Sequence, residues 1–218
     1  MGEQVKRAYD SSGRQQQARE TQLRVLHAAH DLFIAHGYGR TTITDIAKAA
    51  EVSPETVYGA FRNKATILHR VWDITIGGDD DAVPFHERPE IKAIRAEPDL
   101  AKRFAMHAAM FTAVARRITP FLLALHGAAG SEPAAAEMLA EIGRQRYEGM
   151  RVMARDAAAT GRLAVSEKEC RDLIWASTDG MLWHRLVVER GWSDQRHIEF
   201  LTTMWTAALV AKPRRRSR

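Results

Sequence analysis

The chain has 218 residues, 45% apolar and 27% charged, an ordinary globular composition with length enough for a sizeable core in one large or two small domains. Its net charge of +5 sits in the tail, because Lys212–Arg218 holds five basic residues and no acidic one, so charge alone does not argue for a nucleic-acid partner. No apolar run approaches the ~18 residues of a membrane helix, the polar N-terminus is no secretory leader, and the single Cys170 excludes an intrachain disulfide; a cytoplasmic protein with no membrane partner is expected.

Met1–Glu20 is polar, Gln-rich and without periodicity, which predicts a flexible arm carrying Lys6, Arg7, Arg14 and Arg19. Thr21–His36 reads as a helix, with Val25, Leu26, Ala29, Leu32 and Phe33 on one face and Gly37 at its end. His27 and His30 lie three apart on it, but nothing converges on them and no metal site is expected.

The stretch Thr41–Lys64 organises the rest. Ile43, Ile46, Ala47 and Ala50 mark one helical face, with Thr42 as N-cap and Asp45 completing a short-armed capping box. After a break at Glu51-Val52, Ser53 caps a second helix, Pro54 takes its first position, and Val57 and Phe61 give it a buried face. Two short helices joined by a tight turn form the helix-turn-helix layout, whose second helix enters the DNA major groove. The residues left over on that helix are Glu55, Thr56, Tyr58, Gly59 and Ala60, mostly short or hydroxylated side chains that allow close approach to base edges.

The run Val52-Ser53-x-x-Thr56-x-Tyr58-x-x-Phe61-x-x-Lys64-x-x-Ile67-Leu68, with Phe33-x-x-x-Gly37-Tyr38-x-x-Thr41-Thr42-Ile43-x-x-Ile46-Ala47 before it, resembles the DNA-binding domain of the tetracycline-repressor (TetR) family over roughly Thr21 to Val71. Two departures stand out: Glu51 occupies a turn position usually held by glycine, and Ala65 replaces the usual acidic residue. Glu51 must therefore tolerate whatever backbone the turn demands. The resemblance implies an N-terminal three-helix DNA-binding domain, residues 21–70, followed by a larger helical ligand-binding and dimerisation domain, residues 71–211, with a basic tail at 212–218. The layout further points to phosphate contacts from Lys64, Tyr58 and the amides beside Thr42, to base contacts from Thr56, Glu55 and Thr44, and to Ser53 and Gly59 as further DNA-binding residues. For Glu55 a first-turn acid favoured by the helix dipole is an equal alternative.

A fourth helix is expected from Lys64 through Ile67, Leu68, Val71 and Trp72. Gly77-Gly78 and Asp79-Asp80-Asp81 break it, the aspartates lacking calcium-loop spacing and reading as a solvated acidic loop. Beyond come predicted helices at 91–96, 99–117, 121–126, 134–160, 167–190 and 194–211, with no strand-like alternation, so the fold class is all-α. The last two are apolar on more than one face, which predicts burial against a second copy; TetR-like proteins dimerise by a four-helix bundle of these two helices from each protomer. Trp72, Met106, Met110, Phe111, Phe121, Met150, Met153 and Trp175 supply adaptable apolar surface, and the resemblance implies a cavity among them for a small hydrophobic inducer, oriented by His107, Thr112 or His184.

The expected function is therefore a dimeric regulator binding double-stranded operator DNA as a ligand-released repressor. An activator, or a DNA binder without a ligand, would look the same. An all-α enzyme or carrier would need a nucleophile–base pair or a metal cluster; Cys170 has no histidine near it in sequence and there is no HExxH, CxxC or glycine-rich phosphate loop, so no catalytic residue and no cofactor is expected.

Overall fold

A computed structural model of the chain describes residues 11–79 and 83–212, and these fall into two compact units, Met1–Val71 and Trp72–Arg218. Among the described residues the regular secondary structure is helical, with an isolated antiparallel bridge between Leu163 and Val210, as the all-α expectation requires.

The first unit holds α1 (Ser11–His36), α2 (Ile43–Ala49), α3 (Pro54–Phe61) and the first turns of α4 (Lys64–Gly77). Helix α1 starts ten residues before the expected Thr21, so residues 11–20 are not the irregular arm that their composition suggested. Residues 13–20 are exposed, and a polar helix in water carries no apolar period; side-chain bonds such as Gln16 to Glu20 at 2.8 Å brace it instead. The remainder of the expected arm, residues 1–10, and the tail beyond Lys212 lie outside the described residues, as do Asp80 and Asp81.

Local chemistry sets each boundary in this unit. Gly37 adopts φ +82° and donates its N–H to the Phe33 carbonyl, closing α1. The Thr42 hydroxyl accepts from the Asp45 N–H at 3.1 Å while the Asp45 carboxylate accepts from the Thr42 N–H at 2.9 Å, a complete capping box. Ser53 Oγ accepts from the Thr56 N–H, with Pro54 in the first helical position. Phe33, Ile46, Val57, Phe61, Ile67 and Leu68 are buried together with Tyr38, whose ring meets Phe33 edge-on at 5.2 Å. Each such side chain contributes about 1.5–3 kcal/mol by leaving water.

The second unit follows the end of α4 with α5 (Pro89–Ala96), α6 (Leu100–Ala128), α7 (Pro133–Ala158), α8 (Glu167–Ser177), α9 (Met181–Trp183) and α10 (Asp194–Leu209). Phe104 and Phe111 of α6 close on Trp205 of α10 at 6.2 and 6.0 Å, in a core shared with Met150, Met153, Cys170 and Ile174. Two sequence expectations fail here. Residues 99–117 and 121–126 are a single helix, because Pro120, although it forgoes the bond to the Arg116 carbonyl, lies between the buried pairs Ile118-Thr119 and Phe121-Leu122 that hold both sides in place. The helix expected over 167–190 is interrupted after Ser177. Gly180 takes φ +86°, where a Cβ would come within 2.5 Å of Thr119 Oγ1, and Asp179 accepts the Met181 N–H to restart the chain as α9, which runs into a π-helical turn, His184–Glu189.

Asp79 departs from the expected solvated acidic loop, because both its oxygens accept from the buried Arg88 guanidinium at 2.7 Å. By length and composition α6 could cross a membrane, contrary to the sequence count, yet half of its most apolar window is buried within the unit and the helix carries Arg103, Arg116 and Arg117. It is the core helix of this unit.

Candidate nucleic-acid interface

Helix α3 has two unlike faces. Val57 and Phe61 are buried against the rest of the first unit, and Glu55, Thr56, Tyr58, Gly59 and Ala60 are exposed. Tyr58 is 53% exposed, a large aromatic left in water, and a Cβ built on Gly59 meets nothing within 4 Å. The exposed face is thus low in relief apart from one phenol, which suits a helix that must enter a groove. Thr42 and Thr44 are also exposed, at the start of α2.

The turn between α2 and α3 explains how Glu51 replaces a glycine. Its φ is +56°, the left-handed conformation, and the Val52 and Glu51 amides donate to the Ala47 and Lys48 carbonyls at 3.0 and 3.3 Å. This is a Schellman closure, normally given to glycine. A second left-handed residue, Arg62 with φ +62°, ends α3, and Asn63 then caps α4 by accepting the Thr66 N–H at 2.8 Å. Arg62 is exposed, at the foot of the candidate reading helix, and so is Lys48 on α2. Sequence reasoning missed both cations, for which the only signal was their place inside the motif.

Two of the predicted DNA contacts have partners inside the domain. The Lys64 ammonium donates to the carbonyls of Tyr38 and Thr41 at 2.9 and 3.1 Å and sits 4.2 Å from the Tyr38 ring centroid. It ties the start of α4 to the α1–α2 connection, with two of its three N–H donors engaged within the domain. Glu55 accepts from its own N–H and from the Ser53 hydroxyl, bonds that hold its carboxyl below the usual range. Of its two readings, the helix-start acid is the one the geometry favours. Ser53 is likewise occupied, capping Thr56 and lying 3.2 Å from the Thr56 hydroxyl.

The nine ligand-site candidates of the second unit lie in different surroundings. Trp72 stacks on Phe121 at 6.3 Å, both buried. Phe111, Met150 and Met153 belong to the Trp205 core. Met106 and Met110 are half-buried. Trp175 is exposed, under the Arg146 guanidinium at 4.6 Å. His107 is buried and stacked on Phe111, with Nδ1 lacking a hydrogen-bond partner; burial, with the charge of Arg103 adding to it, pulls its pKa down to about 4. Of the polar alternatives, Thr112 is buried and bonded to His197 at 2.9 Å, and His184 is half-buried near Glu189. None of the nine lines the groove between α8, α9 and α10 described below. Periodicity marked these residues as apolar and adaptable, but it cannot distinguish a filled core from a void. No group of three or more metal-ligating side chains occurs among the described residues.

Residues 25–71, the segment that carries both short helices, match the family described as "Bacterial regulatory proteins, tetR family". The N-terminal domain belongs to the tetR family. Over this tetR domain the chain is 36% identical across 58 residues to the HTH-type transcriptional regulator TtgR of Pseudomonas putida, and 39% identical across 54 residues to TcmR of Streptomyces glaucescens. These matches cover 27% and 25% of the chain and span only 28% and 24% of those relatives. Solved structures extend the likeness beyond the tetR domain, as fold alone. NalD, the secondary repressor of the MexAB-OprM multidrug efflux pump in Pseudomonas aeruginosa, superposes with a TM-score of 0.64 at 19% identity, covering 89% of this chain and 98% of its own. SmeT in complex with triclosan gives 0.66 at 20% identity, over 91% and 98%.

Proposed function

We propose that the chain is a cytoplasmic transcriptional regulator that binds a palindromic DNA operator as a homodimer and is released from it by a small hydrophobic ligand. The observation that carries this reading is the exposed Thr56, Tyr58, Gly59 and Ala60 face of α3, backed by buried Val57 and Phe61 inside a tetR domain. On this reading Thr56 and Gly59 meet base edges, while Tyr58, Thr42, Thr44 and the exposed Arg62 and Lys48 approach phosphates. The apolar faces of α8 and α10 join two protomers, which sets two reading helices on half-sites about 34–36 Å apart or a multiple of that.

The ligand half of the reading is supported by the repacking surface of Trp72, Phe121 and Phe111 and by the unpartnered His107 Nδ1, and by the triclosan that SmeT, of similar fold, holds. A ligand shifts the equilibrium only by its differential affinity for the DNA-competent and DNA-incompetent states. Binding-site selection on wild type and Thr56→Val tests the assignment. Thr56→Val is expected to change the preferred base at one symmetric position, with discrimination altered by about 1–3 kcal/mol, whereas an unchanged selected site would remove Thr56 from the base contacts.

A further inference from the structure

Within the second unit, α8, α9 and α10 enclose an open groove of about 360 Å³. Its wall is apolar, including Leu173, Leu182, Phe200 and Met204, and holds just two charged residues, Asp179 and Arg185. Leu173 of the wall is 47% exposed, and Val188, outside the wall and three residues past Arg185, is 56% exposed. A small ligand in the groove would leave Val188 wet; a flat protein face would cover both side chains. Asp179 and Arg185 have opposite charge and line one groove, yet neither has an ion-pair partner within 4 Å among the described residues. The Asp179 carboxylate accepts only the Met181 N–H, at 2.9 Å, and acts on Arg146 through space.

Under two-fold symmetry a contact from residue i to residue j recurs as j to i. One opposite-charge pair in one groove therefore supplies two reciprocal ion pairs if a copy of the chain lies across it. We propose that the occupant of this groove is a second copy of the chain, docked so that Arg185 of each protomer meets the partner subunit's Asp179, with Leu182, midway between them, closest to the two-fold axis. This inference rests on the homodimer proposed above and adds its register and its selectivity device: the apolar groove supplies the contact area, and the charge pair rejects misaligned or foreign copies.

The test is sedimentation of the full chain. Wild type is expected to be dimeric. Arg185→Asp and Asp179→Arg each place like charges together twice, and each is expected to weaken dimerisation by about a hundredfold or more. An equimolar mixture of the two variants is expected to re-associate as a heterodimer, because both cross-protomer pairs become opposite again. Since Asp179→Arg also removes the Met181 cap, a second variant guards the result: Leu182→Cys in a Cys170→Ser background is expected to yield an oxidised covalent dimer. Variants that dimerise like wild type, monomeric variants that do not complement, or a Leu182→Cys protein that does not cross-link would overturn the register while leaving the homodimer intact. A monomeric wild type would overturn both.

Discussion

The two units expose opposite kinds of surface. The first shows water a short helix face of Thr, Gly and Ala with a single phenol, and buries its bulky side chains beneath it. The second leaves Leu173, Trp175, Val188 and Phe200 in contact with water along its last helices. A surface that reads a polar groove needs low relief and hydrogen-bonding tips; one that meets another protein gains from large apolar area. On the proposed function, the contrast separates recognition from assembly within one chain.

The largest expected effect removes the support of the reading face. Phe61→Ala should destabilise the first unit by about 3–5 kcal/mol, visible as loss of its share of a two-step thermal melt while the transition of the second unit persists. A single shifted transition for the whole chain would show that the two units do not unfold independently.

The next concerns pH and the second unit. His107 has a folded pKa near 4, below its ordinary value of 6.5, so the unfolded chain binds the proton more readily. The contribution of this site to stability is complete above pH about 6.5 and declines as pH falls toward 4, by roughly 3 kcal/mol in total. Chemical denaturation across that window should show the loss in wild type and not in His107→Phe; equal slopes would contradict the burial of the imidazole.

Lys64→Ala distinguishes a structural lysine from a phosphate ligand. Loss of its two bonds to the Tyr38 and Thr41 carbonyls should cost about 1.5–3 kcal/mol of stability, while the salt dependence of DNA binding keeps its slope, since no phosphate contact disappears. A slope reduced by about one, with unchanged stability, would return Lys64 to the DNA. The smallest effect tests the turn: Glu51→Gly should stabilise the first unit by about 1 kcal/mol by relieving the left-handed backbone, read as a small rise in melting temperature.

What the sequence disclosed follows the range of the interactions involved. The Thr42 capping box, the Ser53-Pro54 start and the Val57/Phe61 spacing are contacts within four residues, and each stands in the structure as the sequence predicts. The role of Lys64 was hidden because its partners lie 26 and 23 residues upstream. Pro120 reads locally as a break and is overruled by burial on either side of it. The interruption at Gly180 depends on Thr119, sixty-one residues earlier in the chain. Among the ligand candidates, Trp72 with Phe121 and His107 with Phe111 do meet, whereas Trp175 lies under Arg146 on the surface, a difference that apolar spacing does not encode.

The central claim, that α3 reads duplex DNA, is tested most directly by selecting bound sequences from a random duplex pool with the full chain at near-physiological salt. The account predicts an enriched inverted repeat whose half-site centres lie one helical turn or a whole multiple apart, bound at least about a thousandfold more tightly than bulk DNA. A pool that stays random after repeated rounds, with affinity equal to that for bulk DNA, would contradict it.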